Sequence, residues 1–234
     1  MCRGYHFCRH ADEPHPHQPR RPRRLLHHRA GVSGGRPGAP ARGGAPAPPP
    51  PRGPGRPEDV AAVRAAVSEG DEPTVIVAHS YGGIVAAEAA VGAEPVRHLV
   101  LVSSYLPEPG ESLSTFGADT PPPFLHFDPD GGTFGARPEQ FTETFVQDCP
   151  PDVARHAATL LVRQTLAVTQ QPVRAAAWHD LPTTYVVCTE DRGTPAAAQR
   201  EFSRRADEVI EVKAGHHPFL SRPQTVADVV EGLR

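Results

Sequence analysis

Apolar positions are spread unevenly along the chain of 234 residues. From residue 58 onward they fall into short continuous runs separated by stretches of helical period. TVIVAHS (74–80), VRHLVLVSS (96–104), TTYVVCTE (183–190) and EVIEVKA (208–214) read as strands, and the continuity of the first points to a sheet covered on both faces. PEDVAAVRAAVSEG reads as a helix. Pro57 suits its first turn, Glu58 and Asp59 favour its positive end, Val60, Val63 and Val67 share one face, and Gly70 stops it. YGGIVAAEAAVGA, TPAAAQREFSRRAD and PQTVADVVEGLR are the further helices of the alternation. The βαβ order predicts an α/β fold with a parallel sheet and right-handed crossovers.

Residues 105–182 interrupt this rhythm. FLHFDPDGGTF predicts a hairpin turning at Asp130-Gly131-Gly132. PEQFTETFVQD and PDVARHAATLLVRQTLAV predict two amphipathic helices, so the segment reads as a mostly helical insertion. Its Phe124, Phe127, Phe134, Leu161 and Trp178 would line an apolar binding space.

Residues 1–57 have neither period. Of these, 39 are Pro, Arg, Gly or Ala, and the only large aliphatic residues are Leu25, Leu26 and Val32. Too little apolar surface is available to offset chain entropy, so disorder is expected. Eleven arginines against two acids give this segment about +9, which leaves −12 on residues 58–234 when the total is −3. A basic arm on an acidic body fits nucleic-acid contact, although aromatics and lysines are sparse and none is expected. A third reading is that Pro, Arg, Gly and Ala are the products of GC-rich codons read out of frame. Translation of the gene upstream of codon 58 in the other two frames distinguishes it.

Four cysteines (Cys2, Cys8, Cys149, Cys188) are too few and too scattered for a disulfide framework or a zinc site. With no run of eighteen apolar residues and no apolar leader, no membrane association is expected and a cytoplasmic setting is the default.

In open α/β sheets the chemistry collects at the carboxyl ends of strands. Three such ends carry a Ser, an Asp and a His. Ser80 stands between a strand and a helix with no linker, which forces a strained turn that exposes its hydroxyl. Ala78, Gly82 and Gly83 are small enough to support that turn, and the Tyr81 backbone N–H can donate to an oxyanion. The competing reading of Ser80 is a helix N-cap. Asp191 follows the third strand and can orient a histidine; Glu190 and Glu108 are its rivals. His216 and His217 follow the fourth, and either could be the general base. A bare His-His lacks metal-ligand spacing, so no metal is expected; no cofactor motif is read. His79 points away from the nucleophile in such turns, His98, His126, His156 and His179 read as surface or cap residues, and Cys188 reads as core.

The order Ser, Asp, His is that of α/β-hydrolases. Through AHSYGG, YVVCTEDRGTPAAAQR and AGHHPFLSRP the chain from about residue 58 resembles that superfamily, in particular the small esterases that include plant methylesterases and hydroxynitrile lyases and their bacterial relatives. The resemblance implies an α/β-hydrolase fold, a mostly parallel sheet with a helical cap at about 105–182. It implies Asp191 as the triad acid and His216 rather than His217 as the base. It also implies hydrolysis of a small ester. The lyase members carry a lysine directly after the histidine; His217 stands there, which disfavours cyanohydrin cleavage. The family's first strands, one ending in a His-Gly motif that supplies a second oxyanion donor, are not readable in residues 1–57; LLHHRAG (25–31) is a faint imitation. They are missing or replaced by the disordered segment, so strand 74–79 is expected to be a bare edge and activity low. A catalytically inactive binding protein on this fold and a nucleic-acid binder using the arginine arm are the alternatives.

Overall fold

The structure is a computed structural model that describes residues 5–9, 25–27, 55–70, 72–117 and 120–233. Its main sheet has six strands in the order β2-β1-β3-β4-β8-β9. Four of them, β3 (Thr74–His79), β4 (Val96–Val102), β8 (Thr183–Cys188) and β9 (Glu208–Val212), are parallel neighbours, and β1 (Tyr5–Arg9) and β2 (Leu25–His27) extend the sheet antiparallel beyond β3.

The pairing of Tyr5 with Ala78 through Arg9 with Thr74 means that β3 is not the bare edge expected from sequence. YHFCR carries no readable period, yet five residues suffice to pair with a strand that offers a free row of N–H and C=O groups. Apart from these two strands and residues 55–57, the disorder expected for residues 1–57 concerns residues outside those described.

The apolar runs are continuous because both faces of the sheet are covered. On one face Ile76, Ala78, Leu99, Leu101, Tyr185 and Val187 pack with α1 (Arg56–Val67), α2 (Tyr81–Ala89) and Phe202 of α6 (Ala196–Ser203). On the other, Val75, Val77, Val100, Val102, Val186 and Cys188 meet Val230 of α8 (Pro223–Glu231). The period of two within each run sorts its residues to the two faces. Arg64 of α1 donates to the carbonyls of Glu88 and Ala89, satisfying the open end of α2.

Between β4 and β8 the chain makes its long excursion. A hairpin of β5 (Leu125–Asp128) and β6 (Thr133–Ala136) turns at the expected residues, and α3 (Pro138–Phe145) follows. The long second helix expected over 151–168 is not formed. α4 (Pro151–Ala158) ends early, Gln164–Thr165 become β7 beside β6, and α5 (Ala167–Gln170) is one turn. Only Ala154 and Ala157 of α4 are buried, and the chain gains more by turning so that Gln164 pairs with Phe134. α7 (Pro218–Ser221) is a short turn ahead of α8.

Candidate active site

Each of the four parallel strands delivers its next residues to the same edge. β3 delivers Ser80, whose φ of 52° and ψ of −128° are a strained backbone for any residue with a side chain. The turn is held from both sides: Ser80 N–H donates to Val102 O at 3.1 Å, and Ser80 O accepts from Gly83 N–H at 3.1 Å and Ser104 Oγ at 2.8 Å. The side chain of Tyr81 reaches back to Asp59 Oδ2 of α1 at 3.1 Å.

Gly83 has no room for a side chain. A methyl group there would coincide with Ser104 Oγ and lie 3.0 Å from Ser104 Cβ and 3.3 Å from Tyr105 O. Gly83→Ala is therefore expected to lower the urea midpoint by the equivalent of about 1–3 kcal/mol. Adding Ser104→Ala, which removes the overlapping hydroxyl, should recover part of that loss; purely additive effects would show that the two residues do not meet.

β8 delivers Asp191. Its Oδ1 accepts from the backbone N–H of Gly193 at 2.7 Å and of Thr194 at 2.9 Å. Its Oδ2 accepts from Gln199 Nε2 at 2.9 Å, from Ser103 Oγ, and from His216 Nδ1 at 2.7 Å. Burial raises the carboxyl's pKa, but the His216 charge and the hydrogen bonds from His216, Ser103 and Thr194 outweigh it, and the net direction is down from 3.8. The stabilisation this carboxylate gives is thus present above its ordinary range and lost only as pH falls through the depressed value.

The rivals are engaged elsewhere. Glu190 pairs with Lys213 at 3.7 Å and Glu108 with His179 at 2.8 Å.

β9 delivers the histidine pair. His216, 3 % exposed, faces Asp191, 7 % exposed, across the bond just described; a carboxylate is only an acceptor, so the Nδ1 proton sits on His216 and Nε2 is left unprotonated in the neutral ring. Among the described residues neither His216 Nε2 nor Ser80 Oγ has a hydrogen-bond partner. His217 faces the other way and donates Nδ1–H to Phe145 O at 2.9 Å.

Three features of the site were not legible in the sequence. His79 packs its ring 4.5 Å from that of His216 and donates Nε2–H to the His216 carbonyl at 2.7 Å, so it anchors His216 by its backbone. Ser103 and Gln199 hold Asp191; an Oγ one residue past β4 and an amide one turn into α6 give no pattern by themselves. The residues after α3 clasp both loops: Gly215 N–H donates to Asp148 Oδ2 at 2.8 Å and Gln147 Nε2 to Glu190 O at 2.8 Å.

The aromatic side chain against His216 is Phe145, at 5.2 Å and edge-on, with Phe124 behind it at 5.3 Å. Of the residues expected to line a binding space, Phe134 is instead buried in the main core and stacked on Phe127. Cys188 is fully buried, and burial pushes its thiol up, away from nucleophilic use.

Burial, helped by the neighbouring His216, lowers His217 to about 3, and burial lowers His79 well below 6.5. An unfolded imidazole takes its proton near the ordinary value, whereas these two stay neutral in the fold, so stability falls as acid is added. Between about pH 7.5 and about pH 5.5 His217 alone should cost roughly 1.4 kcal/mol of unfolding free energy. His217→Asn, whose amide can still donate to Phe145 O, should flatten the pH dependence of the urea midpoint; an unchanged slope would count against a neutral buried His217.

The Alpha/beta hydrolase family model matches residues 17–229. The chain belongs to the alpha/beta hydrolase family. As a member of that family it is an enzyme, and its relatives are hydrolases and esterases. Alpha/beta hydrolase nvfD of Aspergillus novofumigatus is 29 % identical over 189 residues, covering 74 % of this chain and 76 % of that one. Methylesterase 9 of Arabidopsis thaliana is 28 % identical over 180 residues, covering 68 % and 70 %. Among solved structures, the fold is shared with a pyrethroid hydrolase from Sphingobium faniae at a TM-score of 0.66, 20 % identity and 76 % coverage of each chain. Among the described residues of this hydrolase no group of three or more His, Cys, Asp or Glu could hold a metal ion, and no helix is long and apolar enough to cross a membrane.

Proposed function

We propose that this alpha/beta hydrolase is a serine esterase with Ser80 as nucleophile, His216 as general base and Asp191 as the acid that orients it. The observation that carries the reading is the buried 2.7 Å bond between Asp191 Oδ2 and His216 Nδ1, set at the same sheet edge as a serine with φ of 52°. Ser80 Oγ attacks the ester carbonyl carbon as His216 Nε2 takes its proton. The tetrahedral oxyanion is met by Tyr81 N–H at the start of α2, where the helix end favours negative charge. His216 then protonates the leaving alcohol, and water, activated by the same ring, cleaves the acyl-enzyme.

The substrate class is a small carboxylic ester with an apolar acyl or aryl part. Phe145 beside His216, with Phe124 packed behind it, supports this, as do the names of the relatives, a methylesterase and a pyrethroid hydrolase. The segment at about 105–182 acts as the cap that shapes the site. A lyase reaction that needs a cation after the histidine is disfavoured, because His217 is neutral down to about 3 and committed to Phe145 O.

Rapid mixing with p-nitrophenyl acetate tests the reading. A burst approaching one equivalent of nitrophenol per chain, followed by slower turnover, is expected. A parent chain that folds but releases no nitrophenol above background would end it in favour of an inactive binding protein.

A further inference from the structure

Ser103 is the other non-glycine residue with a positive φ among those described, at 45°, and it is fully buried. A glycine would fill this position without strain, and holding a serine there costs on the order of 1–3 kcal/mol. What serine adds over glycine is a hydroxyl. That hydroxyl donates to Asp191 Oδ2, and its oxygen lies 3.2 Å from His216 Nδ1. The strand end is fixed by Ser103 N–H on Val186 O at 3.0 Å, so the Oγ is aimed by backbone on both sides of the sheet edge.

Resting on the esterase reading, we propose that Ser103 is a positioning residue for the Asp191–His216 pair, holding the carboxylate edge that faces the imidazole and tempering its pull on the Nδ1 proton. Oδ2 accepts three donors at once, from Ser103, Gln199 and His216. An O–H bond draws charge from that oxygen and leaves less for His216. Without it, Oδ2 turns more of its charge on the Nδ1 proton and one bond fewer fixes the carboxylate edge, so His216 is held less squarely towards Ser80. The other titratable groups around the pair come from every neighbouring element: His79 at the end of β3, Tyr105 after β4, Asp148 after α3, Tyr185 and Cys188 on β8, and His217 beside His216. None of them donates to Asp191 Oδ2.

Ser103→Gly and Ser103→Ala both remove the hydroxyl, and the glycine variant also relieves the backbone, so it should fold at least as well as the parent. In both, kcat for p-nitrophenyl acetate should fall about tenfold at neutral pH with KM little changed. The His216 Nδ1 proton should also move further downfield in the proton NMR spectrum at acidic pH, a readout that needs no turnover. A kcat and a resonance that stay in place in both variants would overturn the role of Ser103 while leaving the esterase reading intact. A parent chain that hydrolyses no ester would count against the esterase reading, and the resonance would still decide for or against Ser103.

Discussion

Ser80→Ala is expected to lower kcat for an activated ester by about 10⁶, to the background of the assay, with the fold retained. The size of the effect follows from the role: without Oγ there is no acyl-enzyme, and the remaining groups can only bind and polarise. The backbone makes a second, less obvious outcome testable at the same position. At φ of 52° and ψ of −128°, alanine is as strained as serine, whereas glycine is not. Ser80→Gly should therefore be as inactive as Ser80→Ala but more stable than the parent by on the order of 1 kcal/mol, read as a higher urea midpoint. A glycine variant no more stable than the alanine one would mean that the turn holds no strain.

Asp191→Asn should lower kcat by about 10⁴, the range found when the acid of a triad becomes an amide. Five donors converge on this carboxylate: Ser103 Oγ, Gln199 Nε2, His216 Nδ1, and the N–H groups of Gly193 and Thr194. No orientation of an asparagine satisfies them. With its amide nitrogen towards His216 it turns the ring to the wrong tautomer and opposes Ser103 and Gln199; with the nitrogen away, it opposes two backbone N–H groups. Each donor left buried without a partner costs about 1–3 kcal/mol, so stability should fall together with kcat. A variant that keeps parent stability and more than a tenth of the parent kcat would show that Asp191 does not orient the base.

The contrast between Asp191 and Ser103 shows what a sequence can and cannot disclose about such a site. Strand, Ser-Tyr-Gly-Gly and small-residue helix form one local pattern, since the elbow is built from neighbours in the chain. The four parallel strands were legible for a similar reason: continuous apolar runs such as TVIV and LVLV leave a buried parallel sheet as their natural home. Ser103 bonds Asp191 across 88 residues, and His79 bonds the His216 carbonyl across 137, so neither leaves a spacing to recognise. The choice of His216 over His217 rests on resemblance rather than on the two residues themselves; both are equally buried, and their hydrogen-bond partners, Asp191 for one and Phe145 O for the other, are what separate them.

The same reasoning accounts for the places where sequence and structure differ. The helix expected over 151–168 has the right period but too few large apolar side chains on its inner face, and pairing of Gln164 with Phe134 in a small sheet prevails. The aromatic residues of 105–182 carry no mark that says core or cavity, and Phe134 went to the core. Tyr5–Arg9 found a partner that no local pattern announces, the free edge of β3.

The most direct test is covalent labelling of the intact chain with a fluorophosphonate, followed by mass analysis of its peptides. The esterase account predicts one adduct per chain, located at Ser80, forming much more slowly in Asp191→Asn. A folded chain that takes up no label, or one labelled at another residue and equally fast in that variant, would contradict it.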